Sequence, residues 1–152
     1  MILERKYGRI IVEAYDGKRK EMRMHEKIIG GKLPAVGALS YLGDSVHSLY
    51  VRRMLVDKGL SKAADLNAQA LGFVTAEAQA QMYGKIESLL LDDEREVFKR
   101  AFNSTHLNKP KRASSQDYRT ASGFEAVLGM LYFIGDEERL SLLLDTAHKN
   151  ED

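Results

Sequence analysis

The sequence predicts a single all-α domain of ordinary size, preceded by a short β-hairpin. From residue 34 onward, apolar residues recur at spacings of three and four, which is typical of amphipathic helices. The first 33 residues lack this period and instead contain β-branched runs, glycines and many charges. We therefore expect an N-terminal extension over residues 1–33 and a helical domain over residues 34–152.

The hairpin is predicted from an Asp-Gly pair between two strand-like runs. Asp16-Gly17 separates residues 7–15 from residues 18–24, and an Asp-Gly pair in that position favours a tight turn. Gly30-Gly31 and Pro34 then mark a break before the helices begin.

The first predicted helix covers residues 36–57, and its apolar period assigns four residues to the core: Leu42, Val46, Leu49 and Tyr50. Ser61 is expected to cap a second helix that extends to about residue 71. Thr75 opens a third helix in the style of a capping box, and this helix continues towards Leu90.

Three further helices complete the predicted domain. Asp92-Asp93-Glu94 places acids in the first turn of a helix over 92–103, where they favour the helix dipole. Residues 103–115 have no apolar period and are expected to form an exposed loop. A long helix over 117–135 and a short one over 136–148 follow.

Composition limits the classes of function. Cysteine is absent, which excludes disulfides and thiolate chemistry and favours a reducing compartment. No apolar stretch approaches the roughly 18 residues of a membrane span, and the charged start lacks the apolar region of a signal peptide. We therefore expect a soluble, cytoplasmic protein with no membrane partner.

Two carboxylates stand in unusual surroundings. Glu125 is the only charged residue of the apolar run 124–134, and Asp44 lies within the first helix. A buried carboxylate is costly unless it is paired or bound to a metal, so the two acids suggest a shared divalent cation. Gly43 and Gly129 would let the two helices approach closely and bring the acids together. A buried hydrogen-bonded pair fits the same geometry.

The residues around these acids resemble the ribonuclease III catalytic domain. The resemblance rests on the segments Leu42-Gly43-Asp44-Ser45-Val46 and Phe124-Glu125-Ala126-Val127-Leu128-Gly129. It is closest to the Mini-ribonuclease III subgroup, which has no double-stranded-RNA-binding domain. Residues 50–53 and 117–122 are also similar to that subgroup. The resemblance covers about residues 34–148.

The resemblance implies a hydrolase, an endoribonuclease that cuts double-stranded RNA as a homodimer and leaves 5′-phosphate ends. In this sequence Asp44 and Glu125 match the catalytic, metal-binding acids, and their hard oxygens suit Mg²⁺, with Mn²⁺ as a substitute. The subgroup further implies maturation of the 23S ribosomal RNA precursor, with a ribosomal protein as a further candidate partner. Val51 and Leu55 on the first helix are expected to contribute to the dimer interface.

The sequence departs from the family pattern at two positions. Ser40 and Ser122 stand where full-length ribonuclease III enzymes usually carry a Glu and an Asp, which leaves fewer metal ligands. Glu77 falls near another family acid and could be a supporting ligand, but a capping-box residue is the alternative reading.

Basic residues suggest where RNA binds. Residues 99–119 carry six Lys or Arg against one acid, which suits contacts to an RNA backbone, although an ordinary solvated loop has the same composition. Arg52 and Arg53 are candidates for phosphate contacts or for dimer salt bridges. His47, near Asp44, is expected to be a core or surface residue rather than a substrate contact. The predicted RNA-binding residues are Lys99, Arg100, Lys109, Lys111, Arg112 and Arg119.

Two other functions remain open from the sequence. The first is a non-catalytic RNA-binding or ribosome-associated module that keeps the same fold, which Ser40 and Ser122 would favour. The second is a helical interaction protein in which Asp44 and Glu125 are structural.

Overall fold

The computed structural model describes residues 2–5, 8–11, 33–104 and 114–150. Strands β1 (Ile2–Arg5) and β2 (Gly8–Ile11) pair antiparallel, with Ile2 opposite Ile11. Strand β2 falls within the first predicted strand, whereas the predicted Asp16-Gly17 turn and the arm over 18–24 lie outside the described residues. The domain boundary after residue 33 stays a prediction.

Helices make up the rest of the described chain, which confirms the all-α class. They are α1 (Val36–Asp57), α2 (Ala63–Val74), α3 (Ala76–Ile86), a 3₁₀ turn (Glu87–Leu89), α4 (Asp92–Asn103), α5 (Ser115–Phe133) and α6 (Glu137–Ala147). None of the helices in the described ranges combines the length and apolar character needed to cross a membrane.

Helix α5 is the centre of the fold. It packs against α1, α3, α4 and α6, and its apolar run from Phe124 to Leu131 is buried except for the half-buried Glu125. Each large apolar side chain buried in this way contributes roughly 2 kcal/mol. Helix α2 is more peripheral and covers Val51, Met54 and Leu55 of α1.

Several helix starts follow local capping chemistry. The Thr75 hydroxyl accepts a hydrogen bond from the Ala78 backbone N–H (3.2 Å), and Ser114 caps α5 in the same way. The predicted cap at Ser61 is wrong, because α2 begins after Lys62, whose side chain forms no capping hydrogen bond.

The core face of helix α1 overlaps only in part with the predicted one: Val46 and Tyr50 are partly buried against the core. Leu49, assigned to the core from its spacing, is 69% exposed. The buried residues are instead Leu39, Gly43, His47, Val51, Met54 and Leu55. Apolar residues lie on several sides of α1, so their spacing alone could not indicate which side packs inward.

A buried ion pair joins α4 to α6. The Arg139 guanidinium donates to the Glu94 carboxylate, with an Nε–Oε1 distance of 2.7 Å, and also to the Leu89 carbonyl oxygen. Glu94 accepts a further hydrogen bond from the Leu91 backbone N–H (3.2 Å). This pairing satisfies two charges that would be costly to bury separately.

Candidate active site

The two helices that carry Asp44 and Glu125 cross at glycines. A Cβ atom on Gly43 would overlap the backbone carbonyl of Glu125, and one on Gly129 would overlap the carbonyl of Leu39. The backbones of α1 and α5 therefore touch at two points one turn apart. The predicted close approach at Gly43 and Gly129 is confirmed, and it sets the two acids on neighbouring helices at one crossing.

The two acids differ in exposure. Asp44 is exposed to solvent, whereas Glu125 is half-buried. The expectation that both carboxylates are buried is therefore wrong for Asp44, because the core face of α1 passes through Gly43 and His47 instead. One acid of the candidate site is consequently open to solvent, and the other is partly covered by the protein.

The environment of Glu125 favours its protonated form. Burial raises the pKa of the Glu125 carboxyl from its ordinary value to about 7, and the nearby Asp44 carboxylate acts in the same direction. A hydrogen bond from the Gln79 side chain acts against both effects. Two acids whose charges repel suit a bound cation, which would attract both of them.

A buried polar network extends from Glu125 into the protein. The Gln79 side chain, on α3, acts to lower the pKa of Glu125, and its amide nitrogen lies 3.2 Å from Nδ1 of His47 on α1. Nε2 of His47 lies 2.9 Å from Nε2 of His148, just after α6. Gln79 and His47 are almost completely buried. The network thus connects the site helices α1 and α5 with α3 and with the end of α6.

Sequence reasoning identified neither Gln79 nor His148 as part of the site. The available signal was a polar residue on an apolar stripe: Gln79 shares one face of α3 with the buried Met82 and Ile86. For His47, the prediction of a core or surface residue rather than a substrate contact agrees with its burial. Only the packing of helices that are distant in sequence shows which groups these side chains hydrogen-bond.

Both histidines are held neutral. Burial lowers the pKa of His47 to about 3, with the neighbouring His148 as a second cause. Burial also lowers the pKa of His148 to about 4, and the Lys85 and Lys58 charges add to the effect. At neutral pH these rings therefore act as hydrogen-bonding groups without charge.

Ser40 and Ser122, which differ from the family pattern, lie opposite each other on α1 and α5. The Ser40 hydroxyl donates to the backbone carbonyl of Ser122 with an O–O distance of 2.8 Å. Ser40 precedes Asp44 by one turn, and Ser122 precedes Glu125 by about one turn. This hydrogen bond supports the helix crossing next to the acids.

Comparison with known proteins assigns the family. The Ribonuclease III domain matches residues 37–136. The chain belongs to the ribonuclease III family. It is 39% identical to the Mini-ribonuclease 3 of Streptococcus pneumoniae over 109 residues, covering 70% of this chain and 85% of that protein. It is also 38% identical to the Mini-ribonuclease 3 of Symbiobacterium thermophilum, covering 72% of this chain and 84% of the relative.

A solved structure supports the same fold. The X-ray structure of a Fusobacterium nucleatum protein is similar to this chain, with a TM-score of 0.67 and 26% identity. The similarity covers 73% of this chain and 88% of the other. The predicted ribonuclease III fold and the endoribonuclease class are thereby confirmed at the level of the family.

Glu77, the third acid predicted for the ribonuclease III site, does not complete a set of metal ligands among the described residues. Glu77 is exposed in the first turn of α3, one residue before the N–H that Thr75 caps, so it does not occupy the capping-box position. Within residues 33–104 and 114–150, no group of three or more His, Asp or Glu side chains is placed to hold a metal ion together. The role of Glu77 as a supporting metal ligand stays a prediction.

The predicted RNA-binding residues are described only in part. Lys99 and Arg100 are exposed on α4, where Arg100 pairs with Glu96 at 3.2 Å, and Arg119 is half-buried on α5. The other three, Lys109, Lys111 and Arg112, lie outside the described residues. Helix α4 packs directly against α5, the helix that carries Glu125.

The two arginines of α1 have separate surroundings. Arg53 pairs with Asp57 on the same helix at 3.3 Å. Arg52 lines a groove between α1 and α2 together with Ser48, Val51, Asn67, Ala70, Leu71 and Val74. The exposed position of Arg52 in this groove is compatible with both predicted roles, a phosphate contact and a dimer salt bridge.

Proposed function

We propose that this chain is a Mg²⁺-dependent endoribonuclease that cuts double-stranded RNA and leaves 5′-phosphate ends. The observation that carries this proposal is the placement of Asp44 and Glu125 at the crossing of α1 and α5, where their carboxylates repel each other. The proposed substrate is the 23S ribosomal RNA precursor, and the proposed active form is a homodimer. The likeness to Mini-ribonuclease 3 proteins supports the choice of reaction.

The donor set fits a hard divalent cation. Asp44 and Glu125 provide oxygen ligands from two rigid helices, and Mg²⁺ commonly binds through one or two carboxylates while keeping several waters. Manganese has the same preference for oxygen and would substitute. Ser40 uses its hydroxyl proton on the Ser122 carbonyl, so the family's usual acid at that position has been replaced by a structural hydrogen bond.

The chemistry requires charge neutralisation at a phosphodiester and a deprotonated water. Bound Mg²⁺ supplies both by lowering the pKa of water and by stabilising charge on the phosphate oxygens. Asp44 is exposed and therefore accessible to an RNA strand. Glu125 lies deeper, and the neighbouring Gln79 side chain acts to lower its pKa. No covalent enzyme intermediate is required.

The RNA duplex is proposed to bind across α4 and the start of α5. Lys99, Arg100 and Arg119 carry positive charge on these two adjoining helices, and Lys109, Lys111 and Arg112 belong to the segment between them. Duplex RNA is recognised mainly through its phosphates, shape and 2′-hydroxyl groups, for which such charges are suited.

A homodimer is proposed because two staggered cuts need two sites. The predicted interface residues Val51 and Leu55 are wrong for this purpose, since both are almost fully buried within the chain. Helix α1 instead exposes Tyr41, Leu49 and Val56. Exposed apolar residues on one helix are typical of an interface, so we assign the proposed dimer contact to this face.

The alternative function is a non-catalytic RNA-binding module. The absence of acids at Ser40 and Ser122 favours it, because the Ser40 side chain forms a hydrogen bond between helices there instead of supplying a metal ligand. This alternative predicts binding of duplex RNA without cleavage.

Cleavage of a perfect RNA duplex by the purified protein tests these functions. Wild type should cut with Mg²⁺ and not with a chelator, and Asp44→Asn or Glu125→Gln should reduce the rate by more than about 100-fold, the loss reached even by outer-shell changes at metal sites. Asp65→Asn, at an exposed acid on α2, is the matched control and should cut normally. An intact duplex that still binds wild type would establish the RNA-binding module instead.

The dimer is tested by sedimentation of wild type and of Leu49→Glu. A charge at this exposed position of α1 should produce monomers, whereas Leu142→Glu, at an exposed apolar position of α6, should leave the dimer intact. A wild-type monomer at micromolar concentration would rule out the proposed two-site mechanism. Incubation with a transcript of the large-subunit ribosomal RNA precursor then tests the proposed substrate.

A further inference from the structure

The end of α6 is fixed to α1 by two side-chain contacts. Residues 145–150 comprise the end of this helix and the residues that follow it. Nε2 of His148 lies 2.9 Å from Nε2 of His47, and the Tyr50 hydroxyl donates to Oδ1 of Asp145 at 3.1 Å. The two α1 residues precede their partners by 101 and 95 positions in the chain.

Helices α2 and α3 contact the same segment. The Lys85 ammonium, near the end of α3, donates to the backbone carbonyl of Lys149 at 2.7 Å. The His148 ring lies between Tyr50 of α1 and Phe73 of α2, at centroid distances of 4.7 Å and 5.6 Å. Residues 145–150 are thus held by contacts with three other helices, and His148 is at the centre of these contacts.

The hydrogen bonds determine where the histidine protons lie. The Gln79 amide nitrogen can only donate, so Nδ1 of His47 accepts from it at 3.2 Å. The proton of a neutral His47 is therefore on Nε2 and is donated to Nε2 of His148. The His148 proton is then on Nδ1, a buried atom with no hydrogen-bond partner among the described residues. This arrangement requires both rings to be neutral.

A further proton on His148 breaks the arrangement. A protonated imidazole donates from both nitrogens, so an N–H of His148 would face the N–H of His47 across 2.9 Å, and two donors form no hydrogen bond. His47 cannot move its own proton to Nδ1, because the Gln79 amide already donates there. In water, both nitrogens of a protonated His148 find acceptors, including the Nδ1 that lacks a partner in the folded position.

The surroundings of the pair also disfavour positive charge. Burial lowers the pKa of His148 to about 4, and the Lys85 and Lys58 charges act in the same direction. Burial and the neighbouring His148 lower the pKa of His47 to about 3. The other ionisable groups on the elements packed around the pair are Tyr50 of α1, Asp145 and Lys149 at the end of α6, and Glu125 of α5, which follows the Phe124 that His47 contacts.

We propose that residues 145–150 form an acid-released latch, which is closed on α1 and α3 while His47 and His148 are neutral and opens when the pair takes up a proton. This conformational device does not depend on the proposed ribonuclease function. The closed latch covers His47, whose ring meets Phe124 edge-to-face with centroids 5.3 Å apart. Its opening therefore exposes to water the inner side of the crossing between α1 and α5.

Hydrogen exchange of the full wild-type chain tests the latch, with each rate expressed as protection relative to an unfolded chain at the same pH. The pKa of His148 is about 4 in the closed latch and about 6.5 when the ring is solvated, so opening should become about 20-fold more favourable between pH 7 and pH 5. The His148 N–H, bonded to the Leu144 carbonyl at 3.0 Å, should lose protection by that factor. The Leu140 N–H, bonded to the Asp136 carbonyl in the first turn of α6, should keep its protection.

A variant without the titrating ring separates the latch from other effects of pH. His148→Gln keeps a hydrogen-bond acceptor for His47 but does not titrate, so the loss of protection at Lys149 between pH 7 and pH 5 should be much smaller. Lys149→Arg keeps the charge of the exposed neighbouring residue and should lose protection as wild type does. Glu125, whose pKa of about 7 lies close to this range, is present in all three proteins and does not affect the comparison.

Nitrogen-15 NMR of the histidine rings gives a test that needs no variant. At pH 7 the wild-type spectrum should place the His47 proton on Nε2 and the His148 proton on Nδ1. Other tautomers, or a His148 ring that titrates near pH 6.5 in the folded protein, would overturn the latch.

The exchange data can contradict the proposal in two further ways. Equal protection of the His148 N–H at pH 7 and pH 5 would show that the segment does not respond to acid. Equal losses at His148 and Leu140 would show that acid unfolds the helix or the whole domain, and no separate latch exists.

Discussion

Ser40 and Ser122 hold α1 against α5 through one hydrogen bond, in which the Ser40 hydroxyl donates to the Ser122 carbonyl at 2.8 Å. The contact joins residues 82 positions apart in sequence and lies one turn before each candidate ligand. The Ser40 side chain therefore contributes to the geometry of the helix crossing and carries no charge, whereas Ser122 contributes only its backbone carbonyl.

Removing the Ser40 hydroxyl should therefore reduce stability. Ser40→Ala leaves a partly buried carbonyl without its donor and should lower the free energy of unfolding by about 1 kcal/mol. Chemical denaturation of wild type and variant measures the difference. Ser45→Ala, at an exposed position on the same helix, is the control and should change stability little. Equal losses in the two variants would mean that the hydrogen bond contributes nothing specific.

The helix crossing should tolerate no side chain at Gly43. Gly43→Ala places a methyl group against the backbone of Glu125, and since backbone cannot move aside locally, we expect a loss of about 2 kcal/mol or more. Gly37→Ala on the same helix meets no atom within 4 Å and should be neutral or stabilising by up to about 1 kcal/mol. Thermal unfolding compares the two variants. A stable Gly43→Ala protein would contradict the close approach of α1 and α5.

The metal-free protein should lose stability as the pH rises through 7. The pKa of Glu125 is raised to about 7 in the folded chain, so its contribution to stability is complete below pH 4.5 and is lost as the pH passes 7. At pH 8, Glu125→Gln should be more stable than wild type by about 1–2 kcal/mol, allowing for the partial solvent exposure of the carboxylate.

Magnesium provides the control for this pH dependence. Added Mg²⁺ should stabilise wild type at pH 8 and have little effect on Glu125→Gln, because a ligand that binds the folded state raises its stability. Identical unfolding curves for the two proteins at pH 8 without metal would show that Glu125 experiences no unfavourable charge interaction.

The histidine pair should make the fold sensitive to acid. Since burial lowers the pKa of His47 to about 3 and that of His148 to about 4, the unfolded chain takes up protons from pH 6.5 downward while the folded chain does not. Stability contributed by the neutral rings is present above pH 6.5 and decreases as the pH falls, by at most about 1.4 kcal/mol per pH unit for each ring.

His47→Phe isolates this effect from that of the acidic residues. Its unfolding free energy, measured between pH 7 and pH 4.5, should decrease less steeply than that of wild type, because one of the two buried titrating rings is gone. A slope equal to that of wild type would show that His47 is already protonated, or solvated, in the folded protein.

Much of the fold could be predicted from local sequence signals. Helix periods, the Thr75 cap and the first-turn acid Asp92 depend on residues a few positions apart, and the observed helices lie close to their predicted ranges. Gly43 and Gly129 indicated a close crossing because glycine is the residue whose missing Cβ permits one. The motifs around Asp44 and Glu125 are likewise short segments, so the sequence was sufficient to select these two candidate acids.

The tertiary structure alone decided which side of each helix is buried and which side chains meet across helices. Helix α1 has apolar residues on several faces, so only packing against α5 shows that His47 is buried and Leu49 exposed. Likewise, Gln79 bonds His47 because α3 and α1 bring them together from positions far apart in the chain. Periodicity depends on neighbours along the chain, whereas burial and hydrogen bonding depend on neighbours in space.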